Sequence, residues 1–195
     1  QGGLVLNKST FAMQPGEALE LVNFEPDING GYRRINGFAK YNTNIVPITS
    51  ASTEEVLLSC IFNDKIVAAR GQKIFTASAG SGSWTERDSG RTSAGVYTFE
   101  RFNFDGNDKL IVADGNNAPT VFNTSFAATD VSSGGGGEVS TAVTGAKFVA
   151  VFKDHMFYAG MANSKQEVVF SVPFDEDDFA TGSGAGSFKV DDTIT

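Results

Sequence analysis

Asp108-Lys109-Leu110-Ile111-Val112-Ala113-Asp114-Gly115 is the stretch whose reading decides the fold. It recurs. An earlier copy is Asp64-Lys65-Ile66-Val67-Ala68-Ala69-Arg70-Gly71, and a later one is Asp154-His155-Met156-Phe157-Tyr158-Ala159-Gly160. Each begins with Asp and a basic or imidazole residue, runs through small and apolar residues, and ends at Gly. The copies begin at residues 64, 108 and 154, so they lie 44 and then 46 residues apart. A spacing in the mid-forties is that of a four-stranded propeller blade.

The flanks repeat as well. Strand-like runs precede the copies at Val56 to Phe62, Val96 to Phe104 and Lys147 to Phe152. Second runs follow at Ile74 to Thr76, Thr120 to Phe122 and Val168 to Ser171. Less regular segments complete each unit at Ser83 to Arg87, Ala127 to Val131 and Pro173 to Phe179. Asn63-Asp64, Gly106-Asn107-Asp108 and Lys153-Asp154 fall where turns belong, and such residues tolerate tight backbone conformations. The leading Asp of each copy is therefore expected to be a turn residue.

The sequence predicts an all-β protein. An extended N-terminal arm over residues 1–48 precedes a propeller-like β domain over 49–195, built of about three ~45-residue units of antiparallel strands. Among 195 residues, 17 Phe and 22 Gly suit short strands joined by tight turns. Within the arm, Glu17 to Phe24 is expected to hold one helical turn with Leu19, Val22 and Phe24 as its buried side. Asn42 to Thr53 reads as a polar linker. Beginning at Gln1 and stopping just past a strand-like Ser187 to Val190, the chain reads as a piece of something longer.

Charge and composition exclude several roles. A net charge of −8 opposes a surface that coats nucleic acid, whose affinity comes from phosphate contacts. No signal-peptide pattern and no long apolar window occur, so no membrane partner is expected. Cys60, the single cysteine, permits no intrachain disulfide and no cysteine metal cluster. It sits in an apolar run and reads as a small buried hydrophobe.

The chemistry-bearing candidates resolve into structure. Gly134 to Gly137 is a glycine run, but a phosphate loop needs Lys-Ser or Lys-Thr after it, and Glu138-Val139-Ser140-Thr141 follows. It reads as a mobile loop between units. His155 is the sole histidine and stands at the repeat position of Lys65 and Lys109. Asp175-Glu176-Asp177-Asp178 lacks the alternating ligands and central Gly of a calcium hand and reads as a solvated turn, as does Asp191-Asp192. Sialidase-type propellers carry a Ser-x-Asp-x-Gly-x-Thr-Trp box. Aligned on Trp84, its Ser, Asp, Gly and Thr positions hold Ala77, Ala79, Ser81 and Ser83, none of which matches. No pair of carboxylates can be nominated for glycoside cleavage. The expectation is a protein that is not an enzyme, with no catalytic, cofactor-binding or metal-binding residue.

The run from Pro15-Gly16-Glu17-Ala18 to Glu25-Pro26, followed by Gly30-Gly31-Tyr32-Arg33-Arg34-Ile35-Asn36-Gly37-Phe38, resembles the start of a family of virion structural proteins of short-tailed phages. These are the tail tubular or nozzle proteins and the related DNA-stabilisation proteins. The match is specific over residues 11–41; beyond that it rests on the repeats. The resemblance implies a homo-oligomeric ring in the virion, assembled in the host cytoplasm. It would contact other tail or neck proteins and surround a channel through which DNA passes without specific binding. Members of that family are longer, with more blades, and three units are too few to close a propeller. Tyr32, Arg33, Arg34 and Phe38 are the expected interface residues. Neighbouring strand residues point to opposite faces, so Arg33 and Arg34 cannot act as one fork. Two other readings stand beside this one: a carbohydrate-binding or glycan-processing propeller such as a tail adhesin, and a soluble scaffold repeat unrelated to phage.

Overall fold

A computed structural model describes residues 3–49, 54–93, 95–131 and 143–191. The glycine run at 134–137, and Asp192, lie outside the described residues. The chain divides into two compact units, Gln1–Lys40 and Tyr41–Thr195.

The first unit is mostly exposed turns. A 3-10 turn spans Thr10–Ala12, with the Ser9 hydroxyl accepting from the Phe11 amide. Pro15 and Gly16 (φ 90°) form a tight turn closed by the Glu17 amide on the Gln14 carbonyl at 3.0 Å. Strand β1 (Phe24–Pro26) pairs antiparallel with β2 (Tyr32–Arg34). The helical turn expected over Glu17 to Phe24 is not formed. Leu19, Val22 and Phe24 are exposed, and Phe24 opens β1. A single amphipathic turn gains too little burial to offset helix nucleation.

The second unit holds three antiparallel sheets of four strands, each in chain order. The first contains β3 (Val56–Phe62), β4 (Lys65–Arg70), β5 (Lys73–Ser78) and β6 (Thr85–Ser89). The second contains β7 (Thr98–Phe104), β8 (Asn107–Ala113), β9 (Thr120–Phe122) and β10 (Ala128–Asp130). The third contains β11 (Phe148–Phe152), β12 (His155–Met161), β13 (Ser164–Phe170) and β14 (Gly186–Lys189). The protein is thus all-β, with a repeated antiparallel meander. The fourth strand of the third sheet is not the Pro173 to Phe179 segment. That segment loops out, with Phe179 and Glu176 buried, and β14 takes its place.

The turn chemistry follows the sequence in two copies and slips in one. Asn63 and Asp64 (φ 42° and 60°), and Lys153 and Asp154 (φ 48° and 66°), form two-residue hairpin turns with both φ positive. In the middle copy the turn is Asp105-Gly106 (φ 49° and 86°). Asp108 is therefore a strand residue, its carboxylate accepting from Asn103 Nδ2 at 2.8 Å. Gly106 adopts positive φ at the least steric cost, which moves the turn two residues towards the N-terminus.

Side-chain alternation gives each sheet two faces, and the sheets lie face to face in chain order. Leu58, Cys60, Phe62, Val67, Ala69 and Ile74 of the first sheet share a core with Leu110, Val112 and Phe122 of the second. The opposite face of the second sheet, with Ile111, Ala113 and Val121, shares a core with Val149, Met156, Tyr158 and Val169 of the third. The face each sheet turns towards its successor is called leading here, and the other trailing. Strand β8 is buried on both, which is why it reads as an unbroken apolar run.

Candidate interaction site

The junctions between sheets obey one rule. The residue heading the leading face of the second strand reaches the loop between the third and fourth strands of the next sheet. Lys65 Nζ lies 5.2 Å from the centre of the Phe126 ring. Lys109 Nζ pairs with the Glu176 carboxylate. His155 occupies the same position in the third sheet. There its Nδ1 lies 2.6 Å from the carbonyl of Ser171 in its own sheet.

A buried cluster ties the first sheet to the second. Arg91 reaches Asp88 Oδ2, the carbonyl of Ala118 at 2.6 Å, Asp130 Oδ1 at 2.7 Å and Asp114 Oδ2 at 3.9 Å. Burial works against its charge, but the Asp88 hydrogen bond and the three carboxylates outweigh it and hold its pKa above the ordinary value. Asp114 also accepts from the Asn116 and Asn117 amides at 2.9 and 2.7 Å. Burial, with the nearby Asp114 charge, pushes the Tyr97 hydroxyl up to about 12.

The acidic run is not a solvated turn. Glu176 is buried, and its main-chain carbonyl accepts from the Tyr158 hydroxyl at 2.7 Å. The carboxylates of Asp175, Glu176 and Asp177 lie within 4.8 Å of one another. Burial, the Asp175 hydrogen bond and the neighbouring negative charges push Asp177 up to about 6, so this cluster relieves its repulsion by taking up a proton. Lys109 supplies the compensating positive charge from the second sheet.

The leading face of the third sheet has no sheet against it among the described residues. It presents Phe148, Phe152, Phe157, Phe170 and Phe188 on one side, with His155 among them. Phe157 and Phe170 stack at 5.4 Å, and His155 stands edge-on to Phe170 at 5.5 Å. Phe152 is 62% exposed, whereas Val67 and Ile111, which face forward from the first two sheets, are fully buried. At the other end, the trailing face of the first sheet is partly covered by Val46, which packs with Ala68, Phe75 and Trp84. Beside them lies an open, largely apolar cavity of about 440 Å³ whose lining includes Ile45, Val56, Ile66 and Ala68.

A more polar cleft of about 410 Å³ opens between the first and second sheets. Phe62, Glu100, Arg101, Phe102, Asp108 and Lys109 help to line it. Arg101 is held there by a 3.0 Å bond to the Ile61 carbonyl.

The four residues expected at an interface lie in the first unit. Tyr32, Arg33 and Arg34 form β2 and are exposed, and Phe38 is 95% exposed. Arg33 pairs with Glu25 across the hairpin, Nη2 to Oε1 at 2.8 Å. Arg34 stands opposite Phe24, on the other face. The structure therefore brings Tyr32, Arg33 and Arg34 onto one short hairpin but does not join the two guanidinium groups. Sequence reading did not single out Arg91 or the five phenylalanines. The partners of Arg91 are scattered from residue 88 to 130 and leave no local motif. For the phenylalanines a signal existed: Phe152 and Phe157 share a face once the Lys153-Asp154 turn is read as a hairpin.

No helix among the described residues is long and apolar enough to cross a membrane. Compared with known proteins, the chain matches no family model and no curated protein.

Proposed function

We propose that this chain is a phage virion structural protein, a tail or neck subunit that works by protein–protein assembly around a DNA channel. In this reading its three sheets are blades of a propeller-type repeat, and the exposed hairpin at Tyr32 to Arg34, with Phe38, is a docking arm. The observation that carries it is the sheet-on-sheet register, repeated with the same leading and trailing faces and left with apolar surface at both ends. Such a surface is made for contact with more protein. The resemblance over residues 11–41 supports a tail or neck location in particular. The net charge of −8 supports a channel wall that DNA slides past. The subunit acts mechanically: packed sheets give a rigid body, and the arm fixes its place among neighbouring tail proteins. It belongs in the virion and needs no cofactor.

Antibodies against this chain are expected to label the tail or neck of particles from a phage that carries it, in electron micrographs. Particles without label would overturn the proposal. Charge reversal at Arg33 and Arg34 is expected to abolish assembly and infectivity, and intact infectivity would remove the arm from the mechanism.

The polar cleft favours one second reading, a glycan-binding propeller. Phe62 and Phe102 offer ring surfaces there, beside Glu100, Arg101 and Asp108. A glycan array and a hydrolase screen test it. Binding that Phe102→Ala and Glu100→Gln both remove would move the function to the cleft.

A further inference from the structure

We propose that the leading face of the third sheet docks onto the trailing face of the first sheet of a second copy of this chain, and that two copies close a ring of six sheets. The proposal rests on the propeller part of the proposed function and not on its phage location.

The two interfaces inside the chain supply the rule. Each joins the leading face of one sheet to the trailing face of the next, and each places a residue from the head of the second strand against the following sheet's third loop. The third sheet carries the same positions. Phe157 and Ala159 stand where Ile111 and Ala113 stand in the second sheet, and where Val67 and Ala69 stand in the first. In the first two sheets those positions are fully buried. In the third, aromatic side chains fill the face without a cover.

The complementary surface is on the same chain. The trailing face of the first sheet presents Ile66 and Ala68, the counterparts of Leu110 and Val112, and of Met156 and Tyr158. Those four counterparts are buried against the preceding sheet. Ile66 and Ala68 line the open cavity of about 440 Å³ instead. Both halves of the repeat interface are thus displayed by one molecule, at opposite ends of the stack. Such a head-to-tail contact makes a ring if its rotation closes and a filament if it does not. Three sheets per chain make six in two copies, within the range of four to eight blades in which propellers close.

The rule also places His155. In the docked pair it faces the loop between the third and fourth strands of the partner's first sheet, residues 79–84. That loop ends at Trp84, the only tryptophan of the chain. Trp84 is partly exposed and donates from Nε1 to the Asn44 carbonyl at 3.1 Å. Its fluorescence therefore reports directly on the trailing face.

Sedimentation equilibrium of the full chain from micromolar to millimolar concentration, with Trp84 emission followed over the same dilution series, tests the docking. A species of twice the 20.6 kDa chain mass is expected, with a change in Trp84 emission at the same midpoint. Phe157→Asp is expected to weaken association about thirtyfold or more, as loss of a central aromatic anchor does. Phe152→Asp changes a residue already largely exposed, leaves the fold intact by circular dichroism, and is expected to weaken association as well. A folded monomer at every concentration overturns the docking, as does a dimer that both substitutions leave intact or whose dissociation Trp84 does not sense. An open-ended ladder of masses overturns the two-copy closure. None of these results bears on whether the protein is found in virions, which the labelling experiment reads separately.

Discussion

Replacing Arg91 with Met isolates the electrostatic junction between the first two sheets. The Arg91 side chain is 5% exposed, so methionine fills the space without a new cavity mouth, and the main loss is charge. Removing one partner of a buried ion pair costs about 3–5 kcal/mol, because the remaining charge is left uncompensated. The structure places this case at the low end. Asp130 is 52% exposed and is screened by water. Asp114 keeps its two amide donors and Asn117 Nδ2 at 2.6 Å. Asp88 keeps only its bond from the Ser89 amide at 2.9 Å and a long one from Thr120 Oγ1 at 3.3 Å. The Ala118 carbonyl also loses its guanidinium donor. A loss of about 3 kcal/mol follows, equivalent to a fall in Tm of about 6–12 °C for a domain of this size. Urea unfolding followed by far-ultraviolet circular dichroism measures it. Adding Asp88→Asn to Arg91→Met is expected to restore about 1 kcal/mol, since the least compensated charge is then gone. A loss below about 1 kcal/mol for Arg91→Met would refute the reasoning, because the cluster would then behave as a surface pair.

Three further outcomes are expected. Asp177 titrates at about 6 in the folded chain, above the ordinary carboxyl value, so the folded state binds a proton that the unfolded state does not. Its contribution to stability is therefore present at low pH and is lost as pH rises through about 6. Asp177→Asn should be the more stable protein above pH 6, with the difference in Tm shrinking towards pH 4, and parallel Tm curves would count against it. Burial, only partly opposed by the charge of Arg101, pushes the Cys60 thiol up to about 11. About one thiol in a thousand is then ionised at pH 8, so a thiol reagent should label the native chain very slowly and the urea-unfolded chain at once. Rapid native labelling would show that the core between the first two sheets opens. Gly71 has φ 56°, and an added Cβ would lie 2.1 Å from Thr49 Oγ1. That hydroxyl bonds the Glu54 carboxylate at 2.8 Å and accepts from the Gln72 amide at 3.2 Å. Gly71→Ala should destabilise by about 1–3 kcal/mol in thermal unfolding, through both backbone strain and the broken bonds, and an unchanged Tm would refute the close approach.

Much of the architecture was legible in the sequence because a strand writes its environment into consecutive residues. Lys109 to Ala113 announced a strand buried on both faces, and the Asn63-Asp64 and Lys153-Asp154 pairs announced hairpins, since both signals depend on neighbours along the chain. The mid-forties spacing of the three copies likewise exposed the repeat of meander units. Short-range signals failed where two local solutions competed. Gly106 drew the middle turn away from Asp108, and β14 took the edge that Pro173 to Phe179 was expected to fill. Which groups meet across sheets was not legible at all. Glu176 looked solvated in a run of four acids, yet the fold buries it and sets Lys109 against it, 67 residues away in the chain. Arg91 gathers its carboxylates from two sheets. The bare aromatic face of the third sheet exists only because the stack of sheets buries the equivalent positions in the first two. Burial and pairing at these sites depend on distance in space, and only the tertiary structure decides that.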